Sequence, residues 1–200
     1  MRGALIVVEG GDRSGKTSQL ELLANHIKNS KVFKFPNRQS ITGSILDNYL
    51  KGQEANDEAV HLIFSANRWE SKHQILDLLN SGITCLVDRY AYSGIAYSSA
   101  KGLDMEWCKN SDAGLLNPDL VLYFDISPEQ AAKRGGYGEE RYEVLDMQLK
   151  VREKFLQLKD DNWHVVDADR DISIIHKEVC SLVDSCISNL SETIESNLFQ

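Results

Sequence analysis

The sequence is poor in several features that would settle its class at once. Its 200 residues hold four cysteines, Cys85, Cys108, Cys180 and Cys186, with no CxxC pair and no zinc-type spacing. That argues against a disulfide scaffold or a structural zinc, and predicts free thiols in a reducing compartment. No apolar run approaches the ~20 residues that cross a bilayer. The start, Met1-Arg2-Gly3-Ala4, has neither a secretory h-region nor an Arg/Ser-rich presequence. No membrane partner is expected, and the location expected is cytoplasmic, with nuclear access left open. Cationic excess is missing too: 22 Lys and Arg stand against 30 Asp and Glu, a formal charge of −8. A nucleic-acid partner is therefore not expected. The five histidines form no HxxxH cluster, and no stretch reads as a repeat or a Pro/Gly/Ser linker.

What is present is enough for a core. Hydrophobic residues make up 42%, and a chain of this length buries roughly 70% of its unfolded surface without staples. One domain over residues 1–200 is the expectation. Short β-branched or apolar runs at 4–8, 31–35, 83–87, 120–124 and, more weakly, 163–166 predict five strands. Helical periodicity follows the first run (Leu20, Leu23, Ala24, Ile27) and returns at about 42–50, 57–79 and 172–190. Alternating strands and helices predict an α/β chain with a five-stranded parallel sheet and helices on both faces. Past residue 190 the chain turns polar, and residues 191–200 are expected to fray. Residues 134–143, with three glycines among charges, read as a short mobile lid.

Between the first strand and the first helix lies Gly10-Gly11-Asp12-Arg13-Ser14-Gly15-Lys16-Thr17, which fits G-x-x-x-x-G-K-[ST] in the context that motif requires. Glycines let backbone N–H groups turn inward on phosphate oxygens, and the helix N-terminus adds free donors. Lys16 supplies a point charge for the β/γ-phosphates and Thr17 a hydroxyl for Mg²⁺. The fold implied is that of a P-loop NTPase. Arg13, inside the loop, can act as an arginine finger in cis. Asp12 is out of place beside phosphates unless it faces elsewhere, such as a hydroxyl of a second substrate.

Ligands of open α/β sheets bind at the carboxyl ends of strands. The third strand ends there in Asp88-Arg89-Tyr90. Asp88 can join the Mg²⁺ shell, and Arg89 can clamp a phosphate bidentately. Asp125, ending the fourth strand, is a rival for the Mg²⁺ role, ranked lower because no arginine follows it. On a helix starting here, Arg89, Ser93 and Tyr97 share a face, which suits a nucleoside monophosphate. Phe64, Asn67 and Arg68 present a ring, an amide and a guanidinium on one helix face, the means by which bases are read. Phe35-Pro36-Asn37-Arg38 ends the second strand at the site's edge, and its X-Pro bond is a candidate for the cis form.

These segments, with FSANRWE at 64–70 and DRYAYSG at 88–94, resemble thymidylate kinases, nearest to the eukaryotic type with an arginine in the P-loop. The resemblance covers about residues 2–180. It implies transfer of a phosphoryl group from ATP-Mg²⁺ to dTMP, in dTTP biosynthesis, and a homodimer using part of residues 60–79. It implies that Arg13, Lys16 and Arg89 are catalytic. Gly10, Arg13, Ser14, Gly15, Lys16, Thr17, Ser18, Arg134 and Asp169 would bind ATP. Phe64 would stack on thymine, Arg68 and Asn67 would read its edge, and Ser93 would lie near it. Phe35 would border dTMP, Arg38 and Arg89 would hold its phosphate, and Asp12 would take its 3′-hydroxyl. Tyr97 would exclude ribose and Tyr142 would close over the sugar. Mg²⁺ would sit on Thr17 and, through water, Asp88. The rivals are a kinase of UMP/CMP or of deoxynucleosides, and a nucleotide-binding switch. The absence of an N-K-x-D guanine motif weighs against the switch.

Overall fold

The computed structural model describes residues 1–134 and 141–200. Five strands, β1 (Leu5–Gly10), β2 (Ser30–Lys34), β3 (Thr84–Asp88), β4 (Leu120–Asp125) and β5 (Trp163–Asp167), form one sheet in the order β2-β3-β1-β4-β5, every pair parallel. The described helices are α1 (Lys16–His26), α2 (Ile41–Leu50), α3 (Asp57–Trp69), α4 (Lys72–Asn80), α5 (Ala91–Ala100), α6 (Met105–Asp112), α7 (Pro128–Ala132), α8 (Leu145–Leu158) and α9 (Ile172–Ser188).

Strand alternation sorts the core. On β1, Leu5 and Val7 face one cluster with α5 and α8, through Ile95, Val151 and Phe155. Ala4, Ile6 and Val8 face the other with α1 and α9, through Leu20, Leu23, Val179 and Val183. The central strands are buried on both faces, as parallel sheets between helix layers require. Register then sets the site: Val8 lies beside Asp88 and Gly10 beside Phe124, so the loop after β1 emerges next to the end of β3.

Helix starts follow local chemistry. Asn56 Oδ1 accepts from Ala59 N at 2.9 Å, Asp104 Oδ1 from Trp107 N at 2.7 Å, and Ser127 precedes Pro128 at the head of α7.

Three expectations need correction. The helix foreseen at 57–79 is two helices, because Ser71 N bonds back only three residues to Arg68 O and the axis restarts at Lys72. Helices α6, α7 and α8 stand where none was foreseen. Residues 191–200 do not fray. Gly114 N donates to Leu198 O, Leu198 N to Leu115 O, and Asn117 N to Glu195 O. Leu198 is buried, and Phe199 meets Tyr92 edge-on at 5.7 Å. Apolar side chains at the end of a polar stretch thus dock it onto the core. The lid expected at 134–143 falls mostly on residues 135–140, outside the described residues.

Candidate active site

A cavity of about 690 Å³ opens at the carboxyl ends of β1, β2 and β3. Its wall on one side is the loop between β1 and α1. Gly10 sits at φ 145°, and a Cβ there would come within 2.6 Å of Phe124 O, so this position needs glycine. Gly15, at φ 91°, caps α1 in the left-handed conformation. Lys16 Nζ donates to Gly11 O at 2.5 Å and to Ser14 Oγ at 3.2 Å. Burial pushes its pKa down to about 7, with Arg89 adding to the effect. Thr17 and Ser18 line the cavity, and Thr17 Oγ1 donates to Asp88 Oδ2 at 3.1 Å.

The adjoining wall begins at the turn after β3. Arg89 is in the left-handed region at φ 66°, which costs a non-glycine residue about 1 kcal/mol or more. Its Nη1 donates to Gly10 O at 3.0 Å and Ser93 Oγ at 3.2 Å, and its Nη2 to Asp12 Oδ1 at 2.5 Å. Asp12 Oδ2 also accepts from Tyr97 OH at 3.0 Å and Gln148 Nε2 at 2.7 Å. Despite desolvation, Arg89 and Lys16 hold the Asp12 carboxyl below its ordinary range. Asp12 therefore faces away from the phosphate cradle and joins it to α5 and α8.

Arg68, 2% exposed, makes a fork-to-fork pair with Asp112, which is fully buried: Nε to Oδ1 at 2.9 Å and Nη2 to Oδ2 at 2.6 Å. Its guanidinium lies on Gly94, where a Cβ would stand 2.7 Å from Nη2. Phe64 lines the same end, edge-on to Tyr49 at 6.5 Å, and Tyr142 OH donates to Tyr49 OH at 2.9 Å. Phe35 and Arg38 close the edge, with Phe35-Pro36 in cis, and Arg38 Nη1 donates to Asp47 Oδ1 at 2.9 Å. At the other end Arg134 bridges Arg13 O at 2.9 Å and Ala168 O at 2.6 Å. Arg13, itself at φ 60°, extends its guanidinium to Glu143 Oε1 at 3.2 Å.

Three sequence-based candidates stand outside the lining: Gly10, which serves the turn of the loop, Asn67 and Asp169. Asn67 is fully buried and spends its amide on the loop before α2: Oδ1 accepts from Asn37 N at 2.7 Å, and Nδ2 donates to Ser40 Oγ at 2.8 Å. It shapes the edge carrying Arg38 and does not reach the cavity. Asp169 is exposed, its N–H tied to Asp167 Oδ1 at 3.0 Å, while Ala168 and Arg170 take the lining positions. Asp125 is held by Arg152 at 2.7 and 2.8 Å, which leaves Asp88 as the carboxylate beside Thr17.

Sequence reasoning missed Glu9, Asp112, Glu143 and Gln148. Glu9 follows four buried apolar residues on β1 and looks like the last of the strand; only its placement under α5 gives it partners. Gln148 carries no motif at all. Asp112 had a weak signal, a lone acid at the end of an unrecognised helix.

Buried Asp88 Oδ1 has no hydrogen-bond partner. An orphaned carboxylate oxygen beside a threonine hydroxyl is a hard oxygen pair of the kind Mg²⁺ takes alongside substrate phosphates. No cluster of three or more His, Cys, Asp or Glu side chains competes for a metal among the described residues.

A phosphate cradle adjoined in one cavity by an arginine-bearing turn and an aromatic end defines a P-loop kinase acting on nucleoside monophosphates. The family model for thymidylate kinase matches residues 8–179. The chain is 45% identical to the thymidylate kinase of Schizosaccharomyces pombe, over 97% of both proteins. It is 42% identical to that of Homo sapiens, over 96% of this chain and 94% of the human one. The solved thymidylate kinase of Candida albicans superposes with a TM-score of 0.91 at 37% identity, covering 97% of each. The chain belongs to the thymidylate kinase family, and its fold is the P-loop NTPase fold.

Proposed function

We propose how the cavity divides between the two substrates of the family's reaction, ATP + dTMP giving ADP + dTDP. The chain is an ATP-dependent nucleoside monophosphate kinase serving dTTP biosynthesis, and no observation favours a UMP/CMP kinase, a deoxynucleoside kinase or a switch. ATP takes the cradle of residues 10–18, with its adenine toward Arg134 and Ala168. The acceptor takes the other end, its base between Phe64 and the Arg68 guanidinium, its sugar near Tyr97 and Tyr142, and its phosphate on Arg89 and Arg38. The observation that carries this division is one cavity lined by Lys16 and, beside it, by Arg89, which bonds to Gly10 O and Asp12 of the cradle loop, together with Phe64 and Arg68.

The acceptor phosphate is an oxyanion near pH 7, its second pKa being about 6. No general base is required, and rate comes from alignment and charge. Lys16 and Arg13 meet the charge on the transferring group, Arg13 after leaving Glu143. Arg89 aligns the attacking oxygen. Thr17 and, through water, Asp88 would hold Mg²⁺, which neutralises charge on the β/γ-oxygens when bound. One kinase domain would cover residues 1–200. Exposed Leu62 and Trp69 on α3 support a homodimer through that helix. Among the described residues no helix is long and apolar enough to cross a membrane.

A panel of monophosphates in an ADP-release assay tests the reading. One methyl discriminates by about 1–3 kcal/mol, so dUMP should be a poor but real substrate and CMP and AMP far worse. Equal turnover of UMP and dTMP would refute it.

A further inference from the structure

The acceptor-binding arginine is held in a left-handed turn, and nothing in its own segment explains how. Helix α5, which follows, receives no cap from Tyr90 at its N-cap position. The cap comes from another strand. Glu9, fully buried on β1, accepts from Tyr90 N at 2.8 Å and Ser93 N at 3.1 Å through Oε1, and from Ser93 Oγ at 2.5 Å through Oε2. A carboxylate can only accept, so the Ser93 hydroxyl must give its hydrogen to Glu9. Its lone pairs are then left for Arg89 Nη1, 3.2 Å away.

We propose that Glu9 is the positioning residue for Arg89: its carboxyl shape fixes the turn from Asp88 to Ser93 and orients the Ser93 hydroxyl as an acceptor for the guanidinium. Glu9 touches neither substrate and acts through Arg89 alone. It sits one residue before Gly10, so the strand that launches the donor's cradle also sets the acceptor's clamp. The role depends on reach and on acceptance at both oxygens. Burial raises the pKa of Glu9, while the bonds from Ser93 and Tyr90 and the nearby Arg89 charge oppose that rise; a glutamine would keep the two backbone bonds through its oxygen but turn a donor toward Ser93 Oγ.

The inference rests on Arg89 gripping the acceptor phosphate, and the test separates the two claims. Full-length E9Q, E9D, S93A and R89A are assayed for KM toward dTMP, KM toward ATP, kcat and thermal midpoint. R89A should raise the dTMP KM at least 100-fold; if it does not, the assignment of Arg89 fails. Given that rise, E9D, which withdraws the carboxylate by one methylene, should raise the dTMP KM tenfold or more with the ATP KM within twofold. E9Q, which keeps the backbone bonds but loses the acceptor for the Ser93 hydroxyl, should raise the dTMP KM about threefold, as S93A should, and less than E9D. A merely structural Glu9 would lower the thermal midpoint without a selective rise in the dTMP KM. E9D with an unchanged dTMP KM, or E9Q as impaired as E9D, overturns the proposal. Should E9D not fold, S93A decides: it deletes an acceptor of Arg89, and a rise of about threefold in the dTMP KM alone supports the role, whereas no rise overturns it.

Discussion

Replacing Gly94 with alanine sets two effects against each other. Gly94 lies inside α5 without a left-handed φ, so alanine fits the backbone and should gain about 1 kcal/mol in helix propensity. The added Cβ, however, would stand 2.7 Å from Arg68 Nη2, 3.0 Å from Nη1 and 3.2 Å from Cζ, where ordinary contact begins at 3.4 Å. The guanidinium must withdraw by about 0.7 Å, the difference between 3.4 and 2.7 Å. Arginine tips usually move easily, but this one is forked onto buried Asp112 at 2.9 and 2.6 Å. Overpacking of this kind costs about 1–3 kcal/mol, so the net change should be a loss of about 0–2 kcal/mol. The functional effect should be larger in proportion. A 1 Å misplacement of a positioning group can cost about 100-fold, so the KM for dTMP should rise about tenfold or more, with the ATP KM unchanged. Urea unfolding and ADP-release kinetics with dTMP varied measure both. A variant more stable by about 1 kcal/mol with the parent's dTMP KM would show that Arg68 does not rest on Gly94.

Arg13→Ala should lower kcat by roughly 10³-fold, by analogy with arginine fingers; a loss under about tenfold in single-turnover assays would remove Arg13 from the chemistry. Lys16, at about 7 in the free protein, should be drawn back to the ammonium by phosphates. ATP binding at pH 8 should then take up most of one proton, and ATP affinity should fall as pH rises above 7. Calorimetry in two buffers of different ionisation heat reads that uptake, and none would refute the lowered pKa. Leu198→Ala should cost about 2–5 kcal/mol in urea unfolding; a freely fraying tail would show no loss.

Much of this site is legible in the sequence because its parts are local. The P-loop needs glycine at a fixed spacing, and a strand-terminal Asp-Arg pair reports its own position. What escaped depends on contacts far apart in the chain. Gln148 reaches Asp12 across 136 residues, and Arg68 meets Asp112 across 44. Asn67 shows the reverse error: helical spacing put it beside Phe64 and Arg68, yet its amide is consumed by the backbone of Asn37 and the hydroxyls around it. Helix α8 was recoverable, since Val151, Phe155 and Leu158 recur at helical spacing. The docked tail was not, because three apolar residues in ten, Ile194, Leu198 and Phe199, make no helical or strand pattern.

Asp12 belongs to the P-loop by sequence and, by its bonds to Arg89 and Tyr97, to the part of the cavity proposed for the acceptor. The two substrate pockets therefore lack modular independence. A change in the cradle meant to alter use of the triphosphate should be felt at Arg89, the arginine proposed for the acceptor, and redesign of acceptor choice through Arg89 or Tyr97 should disturb the cradle. Engineering of one selectivity without the other should begin at Phe64 and Gly94, beyond the reach of that shared carboxylate.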